Sequence, residues 1–549
     1  MLKKDELVGN ADDDSGPAVD ELNVPYRLPE PEPQRIAVST AGMVATAHAA
    51  ATEAGAQALA DGGNAVDAAV AAAFALGVCE SAASGLGGQT MMLVYLTEQR
   101  RTIALDGSSR APSRAILGSL KKKQRLRGHA AATVPSTPAT LAYALRRWGT
   151  FPLERVLEPT LRLARDGFVV SELQHKLTTM ALEPLQQGTA APFFLKEGKT
   201  PYAPGEVLRQ PVLASTYQRL AQEGVEDFYQ GEIAKLIHAD MEAQGGLIRR
   251  DDLASIPWPI ERRPVACRFE GYRVHTFPPP GAGRTLAEML HILGHFPKTR
   301  EQLDTPRGVA LLAEVIRRAF LDRRDRPFDP NFYPQVHERQ MLSADYAKLV
   351  ARQIKKRIRR PKGETTHLSV MDRWGNVVAL TQSIERVYGS CAASPELGFL
   401  YNDYMSAYEH RDITHPYYLR PNTPPWASVA PTIVFRGRAP WLAIGSPGSE
   451  RITPSILQVF LRLQHQSPLD AVLAPRVHCS IEGKVALEAT RMRDDVPTYL
   501  EQRGFTIDRR EPMSFYLGCV QLVLRDGAEL IGVADPRRDG AAGSPAREP

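Results

Sequence analysis

The chain has 549 residues, 43% of them hydrophobic and 23% charged, a balance that fits a folded globular protein and argues against global disorder. Its 67 basic and 62 acidic residues leave a net charge of only +5, too even a surface for a nucleic-acid binder. Five cysteines without a CxxC pair point to neither a zinc site nor a disulfide framework, and fit a reducing compartment.

Residues 1–35, acidic and proline-containing, lack the apolar stretch of a secretory signal and read as a disordered leader, hence a cytoplasmic expectation. From Ala45 to Val78 an alanine-rich stretch broken by DGGN at Asp61 predicts two consecutive helices, and it is shorter than the roughly 20 apolar residues of a membrane span. The next segment, ESAASGLGGQTMMLVYLTEQRRTIALDGSSRAP, predicts a glycine-rich turn and two buried strands. Helical periodicity then dominates from Pro138 to about Phe320, with Pro-Gly punctuation at Thr276–Gly281.

Two basic runs, KKKQRLR from Lys121 and RQIKKRIRRPK from Arg352, carry no interleaved aromatics for base stacking and read as solvated faces or loops. At Thr365 the pattern changes. TTHLSVMD alternates, RWGN supplies a turn and VVALTQSI alternates again, so a β-hairpin begins there. The runs SVAPTIVF, WLAIGSPG, KVALEA and QLVLRDG predict further strands, and residues 543–549 read as a floppy tail. Thirteen histidines show no metal-ligand spacing, and neither a metal nor a cofactor is expected.

The segment GETTHLSVMDRWGNVVALTQSIERVYGS resembles the start of the small subunit in the γ-glutamyltransferase family. GMVATAHAAATEAGAQALADGGNAVDAAVAAAFALGV, SGLGGQTMMLVY, EPTLRLARDGF, PPPGAG and DPRRDGAA are similar to family blocks and keep the family's order, from about Ile36 to Ala542. The resemblance implies an N-terminal-nucleophile hydrolase: an α+β four-layer αββα sandwich with an additional helical lobe. It also implies a precursor cut between Glu364 and Thr365 into a large-subunit region, 36–364, and a small-subunit region, 365–542, which stay together as a heterodimer.

A hydroxyl nucleophile activated by its own α-amine needs that amine freed, so processing is a condition of activity. By resemblance Thr365 is the nucleophile, Ser383 holds its hydroxyl, and the backbone amides of Gly448 and Ser449 form the oxyanion hole. The family usually has glycine at both of these, and serine is costly where φ is positive. Thr366 is expected to shape the strand and His367 to be structural.

The acyl-binding pocket departs from the family. Ser108 stands at the arginine position two residues after Asp106, with Arg110 on the same strand face by period two. Ala407 aligns with the amine-binding acid, Tyr404 with a neighbouring amide or carboxylate, Glu385 with an asparagine, and Ala427 with the first serine of a pair that leaves only Ser428. An intact nucleophile beside an altered pocket implies amide hydrolysis or acyl transfer. The default small-molecule donors are γ-glutamyl compounds such as glutathione; the alternatives are another carboxylated amide or an acyl-β-lactam, with Arg110, Arg386 and Ser428 leaving room for an anion. A different class of reading is an unprocessed, non-catalytic scaffold, which a lost nucleophile would mark. The basic loop from Arg352 to Lys362 is expected to cover the site until cleavage.

Overall fold

A computed structural model describes residues 35–116, 120–297, 302–325, 343–353 and 365–545. Two seven-stranded sheets are stacked between helical layers. Numbering their strands along the chain gives β1 (Ile36–Ser39), β2 (Gly42–Thr46), β3 (Gln89–Leu96), β4 (Arg101–Gly107), β5 (Ile260–Arg262), β6 (Val265–Phe269) and β7 (Tyr272–Thr276). After these come β8 (Thr366–Asp372), β9 (Val377–Ser383), β10 (Thr432–Arg436), β11 (Ala439–Gly445), β12 (Gln521–Asp526), β13 (Glu529–Ala534) and β14 (Ala541–Gly543). One sheet runs β1-β13-β12-β11-β10-β7-β6 and the other β14-β2-β8-β9-β3-β4-β5, antiparallel throughout.

The layering follows from side-chain alternation. Met43, Met91, Leu93, Met371, Val377 and Ala379 point between the sheets and meet Ile433, Phe435, Ala443 and Val523 from the other side. Val44, Met92, Val94, Leu368, Val370, Val378 and Leu380 point outward under helices α1 (Ala49–Ala60) and α2 (Ala65–Cys79). The far face of the first sheet is covered by α3 (Gly283–Leu293), α4 (Pro306–Asp325) and α5 (Ile452–Arg462). The result is the αββα sandwich, with the extra helical lobe built from segments between Thr137 and Ala254.

All 15 residues of α2 are buried, which its alanines make possible by letting sheet, α1 and lobe approach closely. The helix starts on a capping box: Asn64 accepts from Val66 N–H at 2.8 Å while Asp67 accepts from Asn64 N–H at 2.8 Å, a device worth about 1 kcal/mol.

The predicted helical hairpin is present, but Ala45 and Thr46 belong to β2, and the helices begin only at Ala49. The predicted helical run to Phe320 is interrupted by β5, β6 and β7. Here Val265, Cys267 and Phe269 are buried and Ala266 and Arg268 exposed, an alternation too short and too poor in β-branched residues to stand out. Gly543, read as the first residue of the tail, is the last residue of β14. Glu364 and the basic loop, from residue 354 on, lie outside the described residues. No described helix is long and apolar enough to cross a membrane.

Candidate active site

Thr365 immediately precedes β8, and Ser383 is the last residue of β9. Since Thr366 pairs with Gln382, the register leaves Thr365 and Ser383 side by side at one end of the hairpin. Alternation puts both on the face between the sheets, with His367, Ser369 and Met371. Thr365 is 4% exposed and Ser383 1%.

His367 shares the face of Thr365, and both of its ring nitrogens have partners. Its Nδ1 lies 2.8 Å from Thr381 Oγ1 and its Nε2 3.1 Å from Ser369 Oγ, and burial pushes its pKa down to about 3, so the ring is neutral. A Cβ at Gly445 would collide with this ring, so glycine lets β11 of the facing sheet cross directly over β8. The turn Ser446–Pro447–Gly448–Ser449 follows directly after this crossing. Ser446 Oγ donates to Pro447 O at 2.8 Å and accepts from Cys519 N–H at 2.9 Å, which fixes the turn.

Gly448 has φ 113° and Ser449 φ 54°. The serine thus sits in the left-handed region where its family counterpart is glycine, a strain of roughly 1 kcal/mol. Its N–H lies at the start of the single turn Ser449–Arg451 that leads into α5, where amides have no intrahelical acceptor and the helix end is electropositive. Those are the properties an oxyanion site needs.

The recognition candidates divide. Ser383, Glu385 and Tyr404 come together: Ser383 Oγ accepts from Glu385 N–H at 2.9 Å, and the Tyr404 phenol lies within hydrogen-bonding reach of Ser383 and of Gln89. Burial, with the Glu385 carboxylate nearby, pushes the Tyr404 phenol far up, so it is a neutral hydroxyl. Glu385 holds φ 78°, which turns the chain sharply out of β9.

Ser108 directs its hydroxyl at Asp106, 2.5 Å away, and Asp106 is ion-paired with Arg262 at 2.7 Å. Arg110 does not share a strand face with Asp106, as period two had implied, because β4 stops at Gly107. A Cβ at that position would meet Thr140 and Thr90, and Ser108 N–H turns back onto Asp106 at 3.2 Å. Arg110 instead bridges to Val134, half-buried. Ser428 is half-buried in the segment entering β10.

Several residues of the site had not been singled out from the sequence. Gln89, paired with Ser383 in register, accepts from Ser109 N–H at 2.9 Å, and Thr133 joins Ser109 Oγ at 2.8 Å to Asn402 Oδ1 at 2.9 Å. Asp403, fully buried, accepts from Arg386 N–H at 3.0 Å and lies 3.1 Å from Arg386 Nε. Burial pushes the Asp403 carboxyl up to about 6, with Arg386 and Arg127 opposing. For Asn402 and Asp403 the nearest signal was their position in LYNDYMS beside Tyr404, a polar pair inside a buried stretch. A cavity of about 420 Å³ lined by Leu303, Asp304, Arg462 and Arg491 lies behind α5 and contains none of these residues.

The sequence profile of the γ-glutamyltranspeptidase family matches residues 51–544. The chain is 33% identical over 533 residues to the glutathione hydrolase proenzyme of Escherichia coli (strain K12), covering 90% of each. It is 32% identical over 533 residues to the acylase ACY 1 proenzyme of Pseudomonas sp. (strain V22), covering 92% of this chain and 93% of that one. Among solved structures, cephalosporin acylase from Bacillus halodurans superposes with a TM-score of 0.86 at 28% identity, over 95% of this chain and 99% of that one.

Proposed function

Because the chain belongs to the γ-glutamyltranspeptidase family, we propose that it is a precursor that cuts itself before Thr365 and then uses Thr365 to hydrolyse or transfer the acyl group of an amide. The observation that carries this reading is the register that leaves Thr365 beside Ser383, on the sheet face that β11 crosses at Gly445 just before the Gly448–Ser449 turn.

Maturation begins when Thr365 Oγ attacks the carbonyl carbon of Glu364. The C–N bond breaks and an ester to Thr365 replaces it. That break frees the Thr365 α-amine, and water then opens the ester, restoring the Thr365 hydroxyl and giving fragments of 364 residues and of the remaining 185, held together as a heterodimer.

An α-amine with an ordinary pKa near ~8 is partly neutral at working pH, and accepts the hydroxyl proton as Oγ attacks the substrate carbonyl. The Gly448 and Ser449 amides receive the negative charge on the carbonyl oxygen, and Ser383 orients the attacking hydroxyl. The proton passes to the departing amine, and water or a second amine then takes the acyl group from Thr365.

The default donor is a γ-glutamyl compound such as glutathione. A second reading keeps the mechanism and changes the donor to another carboxylated amide or an acyl-β-lactam. What favours it is the pocket: Ala407 and Ala427 carry no group for an ammonium or a carboxylate, and acylase proenzymes are among the relatives. Intact mass and N-terminal sequencing of wild type beside Thr365→Ala test the core of the proposal. Wild type is expected to yield a fragment beginning Thr-Thr-His while the variant stays whole. A folded wild-type chain that remains uncut refutes it, and leaves the non-catalytic scaffold as the better reading.

A further inference from the structure

Behind the nucleophile, on the opposite face of β8, one carboxylate ties three parts of the chain together. Glu80 is the residue at the C-terminal end of α2 and is 6% exposed. Its Oε2 accepts a hydrogen bond from Thr366 Oγ1, and its Oε1 accepts from Arg538 Nη1 at 2.6 Å. Arg538 is in turn fixed through its carbonyl, which accepts from Arg35 Nη1 at 2.8 Å. Thr366, Glu80 and Arg538 are all nearly inaccessible, and the Glu80 carboxylate is held by the other two.

The loop that starts at Glu80 also supports the other half of the reacting pair. Ala83 O accepts from Ile384 N–H at 3.2 Å, Ala82 O accepts from Tyr388 N–H at 2.8 Å, and Gly88 packs against Ser383 O so closely that a Cβ has no room. Thr366 on one strand and Ser383–Ile384 on the other are therefore referenced to the same nine-residue loop, 80–88. Thr365 is a single peptide unit from the first, and Ser383 is part of the second.

We propose that Glu80 is a positioning residue: by gripping Thr366 against Arg538 it sets the separation of Thr365 from Ser383, and with it the rate at which the Thr365 hydroxyl reacts. The inference rests on Thr365 being the nucleophile. Glu80 itself does not touch the reacting atoms. The Thr366 side chain that it holds points toward the helices while Thr365 faces the other sheet, so its effect passes through one backbone unit. Thr366 earns its place by its hydroxyl, and a β-branched residue without one fills the same space but leaves the carboxylate with a single partner.

The test uses the full-length precursor and its own peptide bond, which needs no knowledge of the natural substrate. The rate of appearance of the Thr-Thr-His terminus is followed for wild type, Thr365→Ala, Thr366→Val, Thr366→Ser, Glu80→Gln and the Thr366→Val/Glu80→Gln double variant, with a melting temperature for each. A misplacement of the order of 1 Å costs up to about 100-fold in rate, so Thr366→Val is expected to slow cleavage by about 10- to 100-fold with its melting temperature near that of wild type. Thr366→Ser, which restores the hydroxyl, recovers most of that loss. The double variant is no slower than the slower single one, because both changes act on the same Thr366–Glu80 contact.

Cleavage of Thr366→Val at the wild-type rate overturns the proposal. So does a loss that Thr366→Ser does not recover, or one that multiplies in the double variant. If wild type and Thr365→Ala both remain uncut, the nucleophile assignment fails, and the role of Glu80 falls with it. That result is distinguishable from failure of the positioning role alone, in which wild type is cut and only the Thr366 and Glu80 variants behave unexpectedly.

Discussion

The two ends of the active site are built differently. The proposed reacting groups lie at strand ends or in the turn that follows one: Thr365 precedes β8, Ser383 closes β9, and Gly448 and Ser449 lie in the turn after β11. The recognition candidates lie on irregular segments: Ser108 and Arg110 beyond the end of β4, Glu385 at a left-handed bend, Tyr404 in a single helical turn, and Ser428 before β10. Strand ends are held by registers that extend across whole sheets, so their side chains cannot change without disturbing the core. Loop residues carry no such burden. Most departures from the family pattern, at Ser108, Ala407, Glu385 and Ala427, fall on the second kind of backbone, while Ser449, where the family has glycine, departs at the other end.

The largest expected effect is at the reacting end. Thr365→Ala should abolish cleavage and lower amide turnover by at least about 10³-fold, read by mass spectrometry and by release of the amine product. Residual turnover near the wild-type rate would mean the strand end is not where the chemistry occurs. Ser449→Pro removes an amide donor and forces φ negative, and should cost about 10²- to 10³-fold in kcat.

His367 links this end to the sheet core, and its contribution depends on pH. With its folded-state pKa pushed down to about 3 from an ordinary 6.5, the unfolded chain takes up a proton below pH 6.5 that the folded chain refuses. The stability present above pH 6.5 is therefore lost as pH falls toward 3, by about 3 kcal/mol at pH 4 at 1.36 kcal/mol per unit. Urea denaturation of His367→Asn beside His367, both in the uncut Thr365→Ala chain, at several pH values should show a correspondingly shallower loss. An unchanged slope would show that other buried groups dominate acid unfolding.

At the recognition end, Ala407→Asp should shift preference toward donors carrying a free α-amine by about tenfold in kcat/KM, measured for a γ-glutamyl anilide against its N-acylated form. No shift would show that Ala407 is not part of the pocket. The smallest effect is at Ser449→Gly, which relieves the left-handed strain and should leave turnover within about twofold while stabilising the fold by up to about 1 kcal/mol in thermal denaturation.

The hairpin after Thr365, the α1–α2 pair and the strands β3 and β4 were legible in the sequence because each has a long, uninterrupted period. β6 and β7 were hidden because a run such as VACRF alternates with alanine, cysteine and arginine, whose apolar contrast is low. At the site, Thr365, Ser383, Gly448 and Ser449 were reached through a family resemblance, and the structure supplies the geometry that position in a block cannot. Gln89, Asp403, Glu80 and Arg538 escaped notice since their roles arise from partners as far as 458 residues away, and no local pattern encodes such a pairing. The face assigned to Arg110 failed for a related reason, because alternation applies only while a strand lasts, and β4 ends where Gly107 meets Thr140.

The order β14-β2-β8-β9-β3-β4-β5 interleaves strands from both sides of Thr365: β2 and β3–β5 precede it, while β14, β8 and β9 follow it. A cut before Thr365 leaves two chains threaded through one ladder, so parting them means breaking backbone pairing at three places in the sheet. The mature enzyme would then carry a history that its sequence cannot regenerate. Once heat or denaturant separates the pieces, the peptide bond that guided their first folding is gone. Its durability becomes a matter of how slowly it comes apart rather than of an equilibrium it can return to.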